Sequence, residues 1–267
     1  MAENLTISLI QTELHWENKE KNLQHFDEKI DAIGITDLIL LPEMFNTGFS
    51  MNSAALYESL EGRTLEWMRK KAAEKSAVVS GSLIIKEDGK YYNRLIWMRA
   101  DGSFEKYDKK HLFRMAMEHN SFSPGDKRLI VDHKGWKIFP QICYDLRFPV
   151  YSRNRYRIDG DQIEAEYDLS FYIANWPASR VNAWSTLLKS RAIENQSYVI
   201  GVNRNGEDGN GISYNGQSAV VDAKGNCIAE ARESEGIITT TLDKEELKNY
   251  REKFPVGMDR DEFRLAE

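Results

Sequence analysis

The sequence predicts an α/β protein, a four-layer α-β-β-α sandwich forming one domain over residues 1–267. Three observations lead there. About a dozen segments have the spacing of strands, more than one modest sheet holds, and four or five have the spacing of helices. Several strand segments, among them Leu38–Leu41, Leu169–Ala174 and Tyr198–Asn203, are apolar without interruption, so both their faces need cover. No Pro/Gly/Ser-rich linker divides the chain.

The elements follow in order. Leu5, Ile7 and Leu9 alternate with Thr6 and Ser8, the period of a half-buried strand. Leu23, Phe26, Ile30 and Ile33 mark an amphipathic helix, Asp37–Leu41 a short buried strand that ends at Pro42, and Leu65, Met68 and Ala72 a second helix. Strands are expected at Ala77–Ile85, Tyr91–Arg99 and Ser103–Tyr107, the last two joined by a two-residue turn at Asp101-Gly102. In the second half, Leu129–Asp132 and Trp136–Ile142 read as strands. Trp184, Leu187, Leu188, Ala192 and Asn195 form one helix face between the runs at 169–174 and 198–203. Ala219–Asp222, Cys227–Ala231 and Ile237–Leu242 are further strands. Asp243 with Glu246 caps a last helix at Lys244–Tyr250, which Pro255 stops. The charged stretch at 153–167, with a turn at Asp159-Gly160, reads as a solvated insertion. Asn205–Gly211 is a turn-rich loop; it leads to a strand and lacks a Gly-Lys-Ser/Thr ending, so it is no phosphate cradle.

Composition narrows the function. The 267 residues include 42 acidic and 36 basic side chains, a net charge of −6, which argues against a nucleic-acid partner. No apolar run approaches the roughly 20 residues of a membrane span, and Met1–Gln11 has no secretory pattern. The two cysteines make no disulfide framework, so the expected location is cytoplasmic. The five histidines show no metal-ligand spacing.

Three segments carry candidate chemistry. Cys143 follows the strand that ends at Ile142, and a strand-to-turn elbow there exposes its sulfur to backbone N–H dipoles that favour the thiolate. Cys227 has no such surroundings and reads as structural. Glu43 ends an apolar strand, where a carboxylate is costly unless paired or functional. In Tyr107-Asp108-Lys109-Lys110-His111, strand alternation puts Lys109 and His111 on one face and Lys110 on the other. A base, a cation and a thiol are the groups that covalent amide hydrolysis needs. A Cys143–His111 pair is the competing catalytic reading.

Leu41-Pro42-Glu43-Met44-Phe45, Tyr107-Asp108-Lys109-Lys110-His111-Leu112-Phe113 and Cys143-Tyr144-Asp145-Leu146-Arg147-Phe148-Pro149 resemble, in this order, motifs of the nitrilase superfamily of carbon–nitrogen hydrolases. Within it, Phe113-Arg114-Met115, Glu118-His119, Ala174-Asn175-Trp176-Pro177, Arg191–Gln196 and Tyr250–Pro255 look most like the bacterial omega-amidases. The resemblance implies the nitrilase-type sandwich, no cofactor or metal, and a homodimer to which residues 250–267 contribute. It implies catalysis by Glu43, Lys109 and Cys143, with Glu118 as a second glutamate and the Tyr144 N–H beside Lys109 as oxyanion donor. The implied substrate is a small oxo-acid amide such as 2-oxoglutaramate or 2-oxosuccinamate, cleaved to acid and ammonia through a thioester. Its carboxylate needs a cation: Arg180 is first choice, with Arg147 and Arg114 as rivals, and Phe49 and Trp176 are candidate apolar walls. N-carbamoyl compounds, nitriles, and a catalytically silent interaction module remain alternatives.

Overall fold

Two facing six-stranded sheets with helices outside them account for most of the chain. The structure, a computed structural model, describes residues 4–159, 162–261 and 263. The first half contains β1 (Leu5–Gln11), α1 (Lys19–Asp31), β2 (Leu38–Leu40), α2 (Ser53–Leu56), α3 (Arg63–Lys75), β3 (Val78–Glu87), β4 (Lys90–Met98), β5 (Phe104–Asp108) and α4 (Glu118–Ser121). There follow β6 (Val131–His133), β7 (Trp136–Ile142), α5 (Pro149–Ser152), β8 (Tyr156–Asp159), β9 (Gln162–Ala165), β10 (Leu169–Ile173), α6 (Val181–Asn195) and β11 (Tyr198–Val202). The chain continues with β12 (Asn205–Glu207), β13 (Ser213–Asn215), β14 (Ala219–Val221), β15 (Cys227–Glu230), β16 (Gly236–Leu242) and α7 (Lys244–Lys253).

The first sheet has the order β16-β1-β2-β3-β4-β5 and the second β15-β14-β11-β10-β7-β6. Each has three parallel strands at its centre, β1–β2–β3 and β7–β10–β11, with antiparallel strands at the margins. Strand parity separates two apolar clusters. Leu38 and Leu40 join Leu5, Ile7, Leu9 and Trp97 against Phe171, Ile173, Ile200 and Val202 of the opposite sheet. Ile39 and Leu41 face the other way, onto Phe26, Leu65 and Met68 of the outer helices. The uninterrupted apolar run of β2 is thus explained by cover on both sides. On the second sheet, α6 lies so close that a Cβ at Gly201 would sit 2.5 Å from Trp184.

Local signals set the helix ends. The Asn18 side chain accepts from Lys21 N, and α3 stops where Ser76 turns left-handed at φ 50°. Asp243 accepts from Glu246 N, as the sequence anticipates, but α7 continues three residues further, to Lys253. Among the described residues no helix is long and apolar enough to cross a membrane.

Four expectations are corrected. β1 is covered on both faces: the Ser8 hydroxyl is buried against Thr36 Oγ1 (3.1 Å) and Thr239 Oγ1 (2.9 Å), because β16 and the 36–37 corner close over it. The β4–β5 loop runs Ala100-Asp101-Gly102, with an Arg99 N to Ser103 O bond at its base and Gly102 at φ 84°, one residue longer than expected. Asn205–Gly211 is not all loop, since β12 and β13 pair antiparallel around its tip. Residues 153–167 contain the β8–β9 hairpin rather than a wholly solvated excursion; Asn154 and Tyr167 at its base are buried and hydrogen-bonded to each other (2.9 and 3.2 Å). The expected turn at Asp159-Gly160 lies partly outside the described residues.

Trp97 joins the sheets by stacking on Phe171 (centroids 6.2 Å apart), and its indole N–H has no hydrogen-bond partner among the described residues. Trp97→Ala is therefore expected to cost roughly 3–5 kcal/mol in urea unfolding, and Trp97→Phe, which keeps a ring and abandons no bond, well under half of that. Equal losses would show that the indole does not join the sheets by packing.

Candidate active site

Four strands deliver side chains to one place from their carboxyl ends, where open α/β sheets commonly bind ligands. Leu41 N makes one more sheet bond, to Ser80 O (2.8 Å), and Pro42 then offers no donor, so Glu43 is carried off the end of β2. Lys109 N bonds to Asn93 O (3.0 Å) as the chain leaves β5. Past β7 the chain turns so sharply that Cys143 has φ 44°, a left-handed conformation costing of order 1–3 kcal/mol for a residue with a side chain. Asn175 follows β10.

Lys109 Nζ lies 2.8 Å from Glu43 Oε1 and 3.0 and 2.9 Å from the two oxygens of Glu118. All three side chains are buried. Asn93 Nδ2 donates to Glu43 Oε1 (2.8 Å) and to Glu118 Oε1 (3.2 Å), tying the carboxylates together. Asn175 N donates to Glu43 Oε2 (2.9 Å), and its side-chain amide to the Glu43 carbonyl (2.6 Å), so the second sheet grips the first. The Cys143 thiol donates to Asn175 O (3.9 Å) and feels the charges of Glu43, Lys109 and Glu118.

Charge within this cluster is unbalanced, with two carboxylates against one ammonium. Burial alone would make Lys109 easier to deprotonate, but Glu118 and Glu43 overcome that and hold the ammonium more firmly than in an ordinary lysine. Burial pushes the Glu118 carboxyl above its ordinary range against the pull of Lys109. Burial, and then the charge of Glu43, pushes the Cys143 thiol well up, with Lys109 opposing. The expected thiolate at the elbow is therefore corrected: burial of the sulfur, with the charge of Glu43 added to it, outweighs the pull of the ammonium. The thiol thus holds its proton more firmly than an ordinary cysteine.

A cavity of about 500 Å³ opens over Cys143 and Lys109, with Phe49, Tyr144, Trp176, Arg147 and Arg180 on its walls. The Lys109 ammonium faces the Phe49 ring at 5.1 Å. Arg147 lies over Trp176 (4.9 Å), and Arg180 over Phe113 (5.3 Å) with its Nη2 3.5 Å from Met115 Sδ. Among the described residues neither guanidinium has a carboxylate at ion-pair distance. Arg114 is exposed and outside the cavity, so this rival is removed. His111, the competing base, is not on the cavity wall: its Nδ1 is 2.8 Å from Asp145 Oδ1 and its ring stacks on Phe148. Cys227 is exposed on β15 rather than structural. No group of three His, Cys, Asp or Glu side chains among the described residues is arranged to hold a metal ion.

Sequence reasoning passed over Asn93, Asn175 and Asp145, and the β12–β13 hairpin that brings Asp208 and Tyr214 to the cavity. Asn93 leaves little trace, since it stands beside Arg94 in a strand whose apolar run begins only at Leu95. The hairpin leaves less, because its strands are three residues each. Asp208 holds its shape by accepting from Asn210 N, Ile212 N and Tyr214 Oη, while Trp16 packs where a side chain at Gly209 would be.

Comparison with known proteins follows the same lines. The carbon–nitrogen hydrolase family profile matches residues 6–252. The chain is 45% identical over 263 residues to the omega-amidase YafV of Escherichia coli, covering 98% of both chains. It is 31% identical over 255 residues to a 2-oxoglutaramate amidase of Bacillus subtilis, covering 94% of this chain and 95% of that one. Among solved structures it is similar, with a TM-score of 0.96 and 42% identity over 99% of this chain and all of the other, to a carbon–nitrogen hydrolase superfamily protein of Xanthomonas campestris with an arsenic adduct in its active site.

The raised thiol gives a prediction. Thiolate absorbance, taken as the difference between the protein and Cys143→Ser, is expected to be absent at neutral pH and to rise only above about pH 9, beyond the ordinary cysteine range. A thiolate signal already complete near pH 7 would contradict this electrostatic account.

Proposed function

Because the chain belongs to the carbon–nitrogen hydrolase family, that is, to the nitrilase superfamily, we propose that it is an omega-amidase converting a small oxo-acid amide, 2-oxoglutaramate or 2-oxosuccinamate, to the acid and ammonia through a thioester on Cys143. The observation that carries this reading is a buried thiol next to a buried carboxylate that is paired with a buried ammonium, on the floor of a cavity whose walls bear two guanidiniums with no carboxylate partner among the described residues.

In the proposed reaction Glu43 takes the thiol proton as sulfur attacks the amide carbon. Proton transfer and attack are coupled, since a free thiolate would add a negative charge beside two carboxylates. The oxyanion is received by the Lys109 ammonium and the Tyr144 N–H. Glu118 and Asn93 keep Lys109 and Glu43 in register. Glu43 then gives its proton to the departing nitrogen, so ammonia leaves and the acyl group stays on sulfur. In the second half Glu43 takes a proton from water, the hydroxyl adds to the thioester carbon, and the acid leaves as the thiol is restored.

Charge layout supports the substrate class. The floor cluster is net negative; the walls carry Arg147 and Arg180 together with Glu17, which accepts from Ser50, and Asp208, which accepts within its own hairpin, so the two guanidiniums are the groups open to the distant carboxylate of an amide that enters with its neutral end inward. Planar guanidiniums match a carboxylate bidentately, and Trp176 and Phe113 hold them flat. The same reading takes the working unit as a cytoplasmic homodimer. The exposed Ile193, Phe254 and Met258 support a covered face, which light scattering would test.

Ammonia release across oxo-acid amides, N-carbamoyl amino acids and nitriles tests the assignment, with oxo-acid amides expected to lead. Cys143→Ala is expected to fold and release no ammonia, and measurable turnover by it would remove the mechanism. Arg180→Ala or Arg147→Ala is expected to raise KM for 2-oxoglutaramate roughly tenfold or more with kcat little changed, the mark of lost uniform binding. An unchanged KM in both variants would remove the carboxylate assignment.

A further inference from the structure

We propose that Asp145 is a positioning residue: its buried carboxylate fixes the Lys109 ammonium relative to the Cys143 thiol. The need for such an anchor follows from the topology. Pairing of β5 with β4 ends at Asp108, one further bond holds Lys109 N, and the chain then leaves the sheet. Cys143 likewise stands just beyond β7, at a left-handed residue. The regular ladder of neither sheet therefore sets the distance between the two reacting groups.

Asp145 spans that gap. It is fully buried, and its two oxygens accept four hydrogen bonds. Oδ2 takes the Tyr107 hydroxyl at 2.8 Å and Ile142 N at 3.1 Å. Oδ1 takes His111 N at 3.0 Å and the His111 ring at 2.8 Å. Tyr107 and His111 are the residues two before and two after Lys109, and Ile142 immediately precedes Cys143. One carboxylate thus clamps both flanks of the lysine and the approach to the nucleophile. Stacking of His111 on Phe148 (centroids 3.7 Å apart, planes at 6°) joins the same two segments a second time. Burial, then the charge of Asp145, holds the Tyr107 phenol well above its ordinary pKa, so it stays a donor.

The geometry makes the carboxylate specific. Each oxygen faces a backbone N–H, which cannot reverse its polarity. In Asp145→Asn, either orientation of the amide sets its NH2 group against Ile142 N–H or against His111 N–H, so one side of the clamp opens. Tyr107→Phe is milder: it removes one bond and introduces no opposed donor.

The test scores turnover per folded molecule, counted from the amplitude of the urea unfolding transition so that unfolded material is not scored as slow enzyme, in a Cys227→Ser background where Cys143 is the thiol left to label. Asp145→Asn is expected to lower kcat on the order of a hundredfold, and Tyr107→Phe about tenfold, as misplacement of a reacting group does, with KM for the amide within about threefold. Iodoacetamide labelling of Cys143 in Tyr107→Phe should slow in the presence of Lys109 and be insensitive to the substitution in a Lys109→Met background, because the effect passes through the lysine. The turnover arm rests on the amidase reading; the labelling arm does not, so a protein inert toward every amide would still decide the role of Asp145. The proposal is overturned if Tyr107→Phe labels and turns over within about twofold of the parent, if its labelling effect persists unchanged without Lys109, or if lost activity is wholly explained by fewer folded molecules.

Discussion

Placing one ammonium between two carboxylates, out of water, constrains the rest of the molecule. A charge buried alone would cost many kcal/mol, and the arrangement holds only because each oxygen is also given a backbone or amide donor. Lys109 alone does not neutralise Glu43 and Glu118. Asn93 shares both carboxylates, Phe113 N reaches Glu118, and Asn175 N reaches Glu43. These donors come from β4, from the segment after Lys109 and from the opposite sheet, so the cluster exists only when the sandwich has closed. The residual negative charge then adds to burial in keeping the neighbouring sulfur protonated.

The fold meets this constraint by ending strands. Glu43, Lys109, Cys143 and Asn175 all stand just past strand termini, where a side chain is freed from alternation yet carried by a rigid ladder. Pro42 ends one ladder by withholding a donor, and the left-handed Cys143 ends another by turning the chain. Backbone strain at Cys143 is held in place by the hydrogen-bonded turn behind it. The arginines differ in kind. Stacked on aromatic rings in the cavity wall and, among the described residues, unpaired with carboxylates, they retain capacity for an incoming anion. The proposed orientation of substrate follows from this contrast between a satisfied, net-negative floor and two unpaired guanidiniums on the wall.

Much of this is legible in the sequence because it is local. The run Leu38–Leu41 followed by Pro42 and Glu43, the parity that separates Lys109 from Lys110, and the strand ending at Ile142 each declare a strand-end side chain without any tertiary knowledge. The sandwich is legible for the same reason, since runs such as 169–174 demand cover on two faces. What is not legible depends on pairing over distance. Asn93 meets Glu43 only through strand order, Asn175 meets it across 132 residues, and Ser8 is covered by Thr239 from the far end of the chain. The thiol's direction of shift is of this kind: read from the elbow alone it points down, and burial between the sheets, helped by the remote carboxylate, reverses it. Arg114 and Arg180 cannot be ranked until the 114–116 turn and the 178–180 turn are placed, and His111 looks like a base until Asp145 is seen to occupy it.

The central claim is that Glu43 carries the proton in both halves of a covalent cycle on Cys143. Intact mass of Glu43→Gln during long incubation with 2-oxoglutaramate tests it most directly. The account predicts slow accumulation of a species heavier by the substrate less ammonia, mapped to Cys143, with no matching appearance of free acid. Acid formed by this variant at a rate near that of the parent, or an adduct on another residue, would contradict it.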